Sequence, residues 1–208
     1  MINTISWNIR GVKSRGAFER LKFLSKIHKT HFIAVQEPFV HSSKIEQYKR
    51  RLAFEGCLGN CNGKIWFFWI SGFNVTVVVD DEQQITVKVT NNTNDEVFYF
   101  TFVYAKSKHP LRTSLWESLR NCISMINGPW CINGDFNVIM SPDEKKGGKP
   151  HRMEKSWDFI TCMDDCGMVD AGFTGLRFTW CNTRGKPHRI WKRLDRVFFN
   201  HQCHDPTP

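Results

Sequence analysis

The sequence predicts a mixed α/β sandwich, with sheets inside and helices outside. Three observations lead there. Helical and strand patterns alternate along the 208 residues, which is the signature of sheets covered by helices. The middle of the chain is a succession of aromatic and β-branched runs separated by turn residues. Finally, 41% of the residues are hydrophobic and 24% charged, enough apolar surface for a core and too little charge for global disorder. The length suits a single domain, residues 1–200, followed by a tail, 201–208.

Each element follows from its local pattern. Ile2 to Trp7 alternates as a short strand and ends in the turn Asn8-Ile9-Arg10-Gly11. Phe18, Leu21, Leu24 and Ile27 recur at helical spacing, which predicts an amphipathic helix over 16–29. Phe32 to Val35 is short, apolar and closed by Pro38, as a buried strand is. Ser42 or Ser43 caps a basic helix through Ala53. Strands follow at Ile65–Ile70, Phe73–Val79, Ile85–Val89 and Val97–Tyr104, with a hairpin at Asn91–Asp95. Leu111 to Ile126 reads as a helix and Trp130 to Ile132 as a strand. Ser141 to Arg152, with Gly147-Gly148 and several lysines, reads as a mobile basic loop. Trp157, Ile160 and Met163 line one more helix. Arg177–Cys181 and Ile190–Phe199 close the chain as strands around the turn Thr183–His188. No repeat and no linker interrupts the order.

Charge and cysteine usage narrow the function. Lys and Arg number 29 against 20 Asp and Glu, a net charge of +9, and a basic surface attracts polyanions, nucleic acid first among them. The eight cysteines include Cys57 with Cys61 and Cys162 with Cys166. Neither pair is C-x-x-C and no histidine stands beside them at zinc-finger spacing. The second pair, four apart in a helix, reads as one buried face. The N-terminal residues lack the charged start and apolar core of a signal peptide, and no apolar run reaches transmembrane length. The expectation is a nuclear or cytoplasmic chain, not secreted, with reduced cysteines. Trp66-Phe67-Phe68-Trp69 and Phe98 to Phe102 read as packing between two sheets rather than as platforms for bases.

The most informative segment is Asn133-Gly134-Asp135-Phe136-Asn137, at the end of the apolar run Trp130-Cys131-Ile132. The period of two in a strand puts Asp135 and Asn137 on one face, and Gly134 leaves room beside them. Two oxygen-bearing side chains converging there can hold a water, a metal or a phosphate. Asn8, Glu37, Tyr104, Thr179 and Asp195 likewise sit at or beside predicted strand ends, where a rigid scaffold carries catalytic groups. Taken singly, each has an ordinary explanation. Asn8 is a turn residue, Glu37 caps a strand, Tyr104 is half-buried sheet, and Asp195 pairs with Arg193 or Arg196.

Taken together and in this order, they resemble the endonuclease/exonuclease/phosphatase superfamily. The segments that carry the resemblance are Ser6-Trp7-Asn8-Ile9-Arg10-Gly11, Val35-Gln36-Glu37-Pro38, Phe102-Val103-Tyr104-Ala105, Asn133-Gly134-Asp135-Phe136-Asn137, Arg177-Phe178-Thr179-Trp180 and Arg193-Leu194-Asp195-Arg196-Val197. Within it, the chain is most similar to the apurinic/apyrimidinic-type endonuclease domain of plant non-LTR, LINE-type retrotransposons. The resemblance implies a four-layered α/β/β/α sandwich of the DNase I-like kind, missing its last strand. It also implies a Mg²⁺-dependent endonuclease that nicks DNA, with Mn²⁺ as the alternative ion. Such chemistry needs an attacking water, a base for its proton and positive charge for the phosphorane oxygens, and a hard cation takes carboxylate and carbonyl oxygens.

By the same resemblance, Glu37 is the principal metal ligand, supported by Asn8. Asp135 orients or deprotonates the water, while Asn137 and Tyr104 bond the phosphate oxygens. Asp195 holds a histidine in its working tautomer. Arg10, Lys106, Thr179 and Arg184 contact nucleic acid, with further phosphate grip from Lys13, Arg15, Lys145, Lys146, Lys149 and other loop cations. The implied partner is DNA, with no membrane and no small-molecule cofactor, and the chain is expected to be a monomer. The family closes with a Ser-Asp-His strand that these 208 residues do not contain; His201 and His204 follow Asp195 too closely to replace it. The expectation is therefore a C-terminally truncated, impaired copy. The other readings are a non-catalytic nucleic-acid-binding remnant and a relative acting on small phosphoesters.

Overall fold

A computed structural model describes residues 2–204. It comprises two compact units, one ending at Tyr104 and the other beginning at Ala105.

In the first unit the elements are β1 (Thr4–Asn8), α1 (Arg15–Ile27), β2 (Phe32–Gln36), α2 (Ile45–Leu52), β3 (Gly56–Gly59), β4 (Ile65–Trp69), β5 (Phe73–Asp80), β6 (Gln84–Asn91) and β7 (Val97–Tyr104). One sheet has the order β1-β2-β4-β3, with β1 and β2 parallel and the other pairs antiparallel. Strand β2 is buried along its whole length, which explains its uninterrupted apolar run. One face of this sheet (Ile33, Val35, Trp66, Phe68) packs on Phe18 and Leu21 of α1 and Tyr48 and Leu52 of α2. On the opposite face Phe32 meets Phe100 at 5.4 Å between ring centroids, and Phe67 meets Phe102 at 4.7 Å. Those two rings belong to β7, the last strand of the antiparallel meander β5-β6-β7. Phe67, Phe100 and Phe102 are therefore inter-sheet packing, as expected, whereas Trp66 and Phe68 face the helices.

The second unit contains α3 (Thr113–Cys122), β8 (Trp130–Asp135), β9 (Lys145–Lys146), α4 (Trp157–Asp165), β10 (Met168–Asp170), β11 (Trp180–Cys181), β12 (Trp191–Lys192) and β13 (Asp195–Asn200). Here β13 lies antiparallel between β8 and β10. Phe159 of α4 stacks on Trp116 of α3 at 5.2 Å and reaches Phe136 at 5.0 Å and Phe198 at 5.8 Å. Both cysteines of the Cys162/Cys166 pair are buried beside this core. A small second sheet runs β11-β12-β9.

Where elements differ from expectation, the reasons are local competition or tertiary pairing. The helix expected over Leu111–Ile126 is α3 alone, preceded by a 3₁₀ turn at His109–Arg112 containing Pro110. The cap of the basic helix is not a serine hydroxyl: Nδ1 of His41 accepts from the Ser43 N–H at 3.2 Å, and a 3₁₀ turn over Ser42–Lys44 leads into α2. Of Arg177–Cys181 only two residues are strand. Ile190–Phe199 is two strands, because Arg193 and Leu194 leave the small sheet. The Arg193 N–H bonds Glu144 O, and Leu194 O accepts from the Phe136 N–H, handing the chain to β8. The basic loop contains β9, too short for any periodicity. Two of the tail residues expected to follow the domain, His201 and His204, belong to a 3₁₀ turn, and Cys203 Sγ in it lies 3.4 Å from Trp130 O. The rest of that tail, 205–208, lies outside the described residues.

Strand β3, Gly-Cys-Leu-Gly, gave no strand signal, and its glycine is needed for packing. Gly56 is the register partner of Trp69, and a Cβ there would come within 1.9 Å of the indole. Gly56→Ala should therefore cost about 1–3 kcal/mol by overpacking. Gly16→Ala, in the first turn of α1 with nothing within 4 Å, should change stability far less. Urea denaturation of both variants checks the contrast.

Candidate active site

In the first unit the ends of β1 and β2 are laced together. The ladder closes at Asn8 opposite Gln36. Beyond it, Ile9 N–H donates to Gln36 O (3.1 Å), Gly11 N–H to Glu37 O (2.8 Å) and Val12 N–H to Pro38 O (3.0 Å). Glu37 N–H in turn donates to Lys64 O at 3.0 Å. These bonds hold two non-glycine residues in left-handed backbone, Arg10 at φ 49° and Glu37 at φ 51°. Such conformations cost energy and persist only where the surroundings fix them, as at functional sites. The structure thus brings Asn8, Arg10 and Glu37 to one sheet end, with Asn8 and Glu37 half-buried and Arg10 exposed. Tyr104 ends β7, its N–H bonded to Gln83 O at 2.8 Å.

Glu37 and Asn8 together offer one carboxylate and one amide oxygen. That is a hard, sparse donor set, of the kind Mg²⁺ accepts while keeping its waters. Among the described residues no group of three or more His, Cys, Asp or Glu forms a cage for a metal ion. Such a pair would fit Mg²⁺ or Mn²⁺ only with further oxygen ligands, such as waters or a phosphate.

In the second unit, Asp135 is buried at 5% exposure and its Oδ1 accepts the Asn137 N–H at 2.9 Å. Asn137 stands at φ 52°, and its Nδ2 donates to Ala105 O at 2.8 Å. Gly134 has φ 135°, so glycine is required there by the backbone and not only by room for a ligand. Across the ladder, Asp195 is the register partner of Asp135. Two carboxylates directly opposite one another are unfavourable in a sheet unless other groups partner them. Thr179, expected to contact nucleic acid, has a structural role here. Its hydroxyl accepts from the N–H groups of Leu194 (3.0 Å) and Asp195 (3.1 Å), fixing the entry to β13. Lys106 is half-buried next to Ala105, while Arg184 is exposed in the 183–189 turn, its carbonyl accepting from Arg189 Nε.

Two supporting groups have no clear motif in the sequence. Arg112, only 4% exposed, donates through Nη1 to the carbonyls of Lys106, Ser107 and Asn137 at 3.1, 3.1 and 3.3 Å. Burial holds its guanidinium below the usual arginine range. The second is a closed ring of charges. Arg193 reaches Glu144 at 3.2 Å and Asp170 at 2.7 Å, and Arg196 reaches Asp170 at 2.5 Å and Glu144 at closer range. Arg193 and Arg196, which bracket Asp195 in sequence, are both held by this ring. Their position in the Arg-Leu-Asp-Arg segment was the available signal; of their partners, Glu144 ends a 3₁₀ turn and Asp170 ends β10.

Residues 5–207 match the Endonuclease/Exonuclease/phosphatase family. The chain belongs to that family. Its fold is accordingly the DNase I-like α/β sandwich, as expected. Solved structures agree. The endonuclease domain of TRAS1, a telomere-specific non-LTR retrotransposon, matches at 14% identity, with a TM-score of 0.73 over 97% of this chain and 86% of that one. The AP endonuclease LMAP of Leishmania major matches at 13% identity and TM-score 0.73, over 97% and 79%. TDP2 of D. rerio, solved with a single-strand DNA product, matches at 15% identity and TM-score 0.66, over 96% and 83%. A comparison with curated proteins gives no match. Among the described residues no helix is long and apolar enough to cross a membrane.

Two predictions follow from the supporting groups. Arg196→Met leaves buried Glu144 and half-buried Asp170 with Arg193 alone and should cost about 3–5 kcal/mol in chemical denaturation. His151, whose Nε2 lies 2.8 Å from Ser156 Oγ, is held below the ordinary imidazole range by burial first and then by Lys192, Lys145 and Lys155, Glu154 acting the other way. The unfolded chain therefore takes up that proton before the folded one does. Stability is lost as pH falls from the unfolded value, about 6.5, toward the lower folded one. His151→Gln should shrink the fall in melting temperature over that window.

Proposed function

We propose that this chain is a Mg²⁺-dependent phosphodiesterase that nicks DNA, as retrotransposon endonuclease domains do. The observation that carries the reading is the opposed pair Asp135 and Asp195 beside the left-handed Asn137, in a chain whose family comprises nucleases and phosphatases. The net charge of +9 and the cationic loops favour a DNA substrate over a small phosphoester. The substrate is met by a monomer in the nucleus or cytoplasm.

In this reading Glu37 and Asn8 hold the metal. When bound, the ion supplies positive charge to the phosphate oxygens. Asp135 orients the attacking water and takes its proton. The water oxygen adds to phosphorus as the ester P–O bond breaks, which leaves a nick with a phosphate on one side and a hydroxyl on the other. The amide of Asn137 has a second N–H beyond the one given to Ala105 O, and that donor, with the Tyr104 hydroxyl, serves the phosphate oxygens. Asp195 orients an imidazole. Arg10, Lys106, Thr179 and Arg184 line the path of the strand.

One observation favours a second reading, a nucleic-acid-binding domain without turnover. The net charge of +9 favours binding to DNA whether or not a bond is cut.

The test is plasmid nicking with Mg²⁺ against EDTA. It compares this chain with one extended by a Ser-Asp-His strand from a relative. Nicking is expected in the extended chain, and Glu37→Ala or Asp135→Ala should lower it by several powers of ten. Nicking that survives Asp135→Ala would sink the assignment. Salt-sensitive DNA binding by both chains with no nicking would select the second reading.

A further inference from the structure

The small sheet of the second unit carries an arrangement that the roles above do not use. Its register places Trp180 opposite Lys192, and Lys192 opposite Lys145. Cross-strand partners share a face, so one row reads Trp180, Lys192, Lys145. Like charges directly opposite destabilise a sheet, and all three side chains are half-buried, where repulsion is screened less.

The surroundings act in both directions. The Lys192 ammonium lies 5.7 Å from the centre of the Trp180 ring, a favourable cation–π contact. Burial first, then Lys145, Arg112 and Lys155, holds that ammonium below the usual lysine range. Every charge acting on it is therefore a cation. His151 is subject to Lys192, Lys145 and Lys155 in the same way. Lys145 spends its ammonium on the carbonyls of Gly147 and Lys149, which shapes the Gly147-Gly148 turn. Among the described residues no carboxylate pairs with Lys145, Lys155 or Lys192. The contrast with Arg193 and Arg196 of the same unit, each met by two carboxylates, shows that the fold supplies counter-charges where cations serve only structure.

We propose that the row Trp180–Lys192–Lys145, with Lys155 and His151 beside it, binds a backbone phosphate of a nucleic-acid strand. Lys192 donates to the phosphate oxygens and Trp180 walls the site. The anion turns the mutual repulsion of the cluster into attraction, so energy stored in the free protein is recovered on binding. This rests on the reading of the chain as DNA-directed and adds a phosphate subsite to it. Cleavage is not required for it.

The experiment is binding of a labelled duplex oligonucleotide, followed by fluorescence anisotropy between about 50 and 200 mM salt. The proteins compared are the unaltered chain, Lys192→Gln, and Lys26→Gln on the exposed face of α1 as control. Melting temperatures are measured without DNA. Lys192→Gln should weaken binding several-fold and lower the slope of log affinity against log salt by about 0.9, the value of one phosphate contact. Its melting temperature should stay or rise, because a like charge has been removed; a structural lysine would give the opposite sign. Equal slopes and affinities for the two variants would overturn the proposal, as would absence of DNA binding by the unaltered chain. Lost binding together with a fall in melting temperature would also overturn it, by assigning Lys192 to the fold. Inorganic phosphate that raises the melting temperature of the unaltered chain but not of Lys192→Gln, with equal oligonucleotide slopes, would assign the site to free phosphate and sink the nucleic-acid claim. Nicking without any Lys192 effect would reject this subsite alone. Lys192-dependent binding without nicking would keep the subsite and reject the cleavage reading.

Discussion

The turns that carry Arg10, Glu37 and Asn137 run through left-handed backbone, and the candidate chemistry depends on the hydrogen bonds that keep them there. Left to itself, a non-glycine residue leaves that conformation. In the first unit three main-chain bonds between the ends of β1 and β2, and a fourth from Glu37 to Lys64, remove the alternatives. In the second, the Asp135 carboxylate does so by accepting the Asn137 N–H, and Arg112 binds the Asn137 carbonyl. The side chains project from strand ends that cannot relax without breaking several bonds at once.

Buried charge is organised around the same turns. The ring of Arg193, Arg196, Glu144 and Asp170 ties β13 to the loop before β9 and to the end of β10. A buried ring of this kind is a weak source of net stability but a strong constraint on geometry, since loss of one member strands the others. It brackets Asp195 on both sides in sequence, while Thr179 fixes the Asp195 N–H from the front. Asp195 is thereby held opposite Asp135 despite the repulsion between them. Lys192, just before the ring, meets the Trp180 ring and no carboxylate among the described residues.

Much of this was legible in the sequence. Val97–Tyr104 was read to the residue, and most other strands and helices within a few residues, because apolar period and breakers are local. Strand β3 was not, since Gly56 and Gly59 carry no β signal and are there to admit Trp69 and Trp66. The split of Ile190–Phe199 was not either, because both halves are β-like and only a change of partner separates them. The cap of α2 was misread because a 3₁₀ turn over Ser42–Lys44, itself capped by His41, runs directly into the helix. Among the site residues, the motif order pointed to Asn8, Glu37, Asp135, Asn137 and Asp195. Arg112, Glu144 and Asp170 were invisible, since a buried arginine or carboxylate looks like any surface charge until its partner is known.

By itself the sequence determined which polar residues stand at which strand ends, and through their order the family. These are properties of short segments, where an apolar run, a breaker and a polar residue follow one another along the chain. Tertiary structure decided who faces whom: Asp135 opposite Asp195, Arg193 and Arg196 turned to Glu144 and Asp170, Lys192 against Lys145. Register between distant strands depends on the sum of the packing on both faces, and a shift of one residue would reverse every one of these pairs. No local pattern encodes that sum, so the chemistry of opposed charges emerges only in the folded chain.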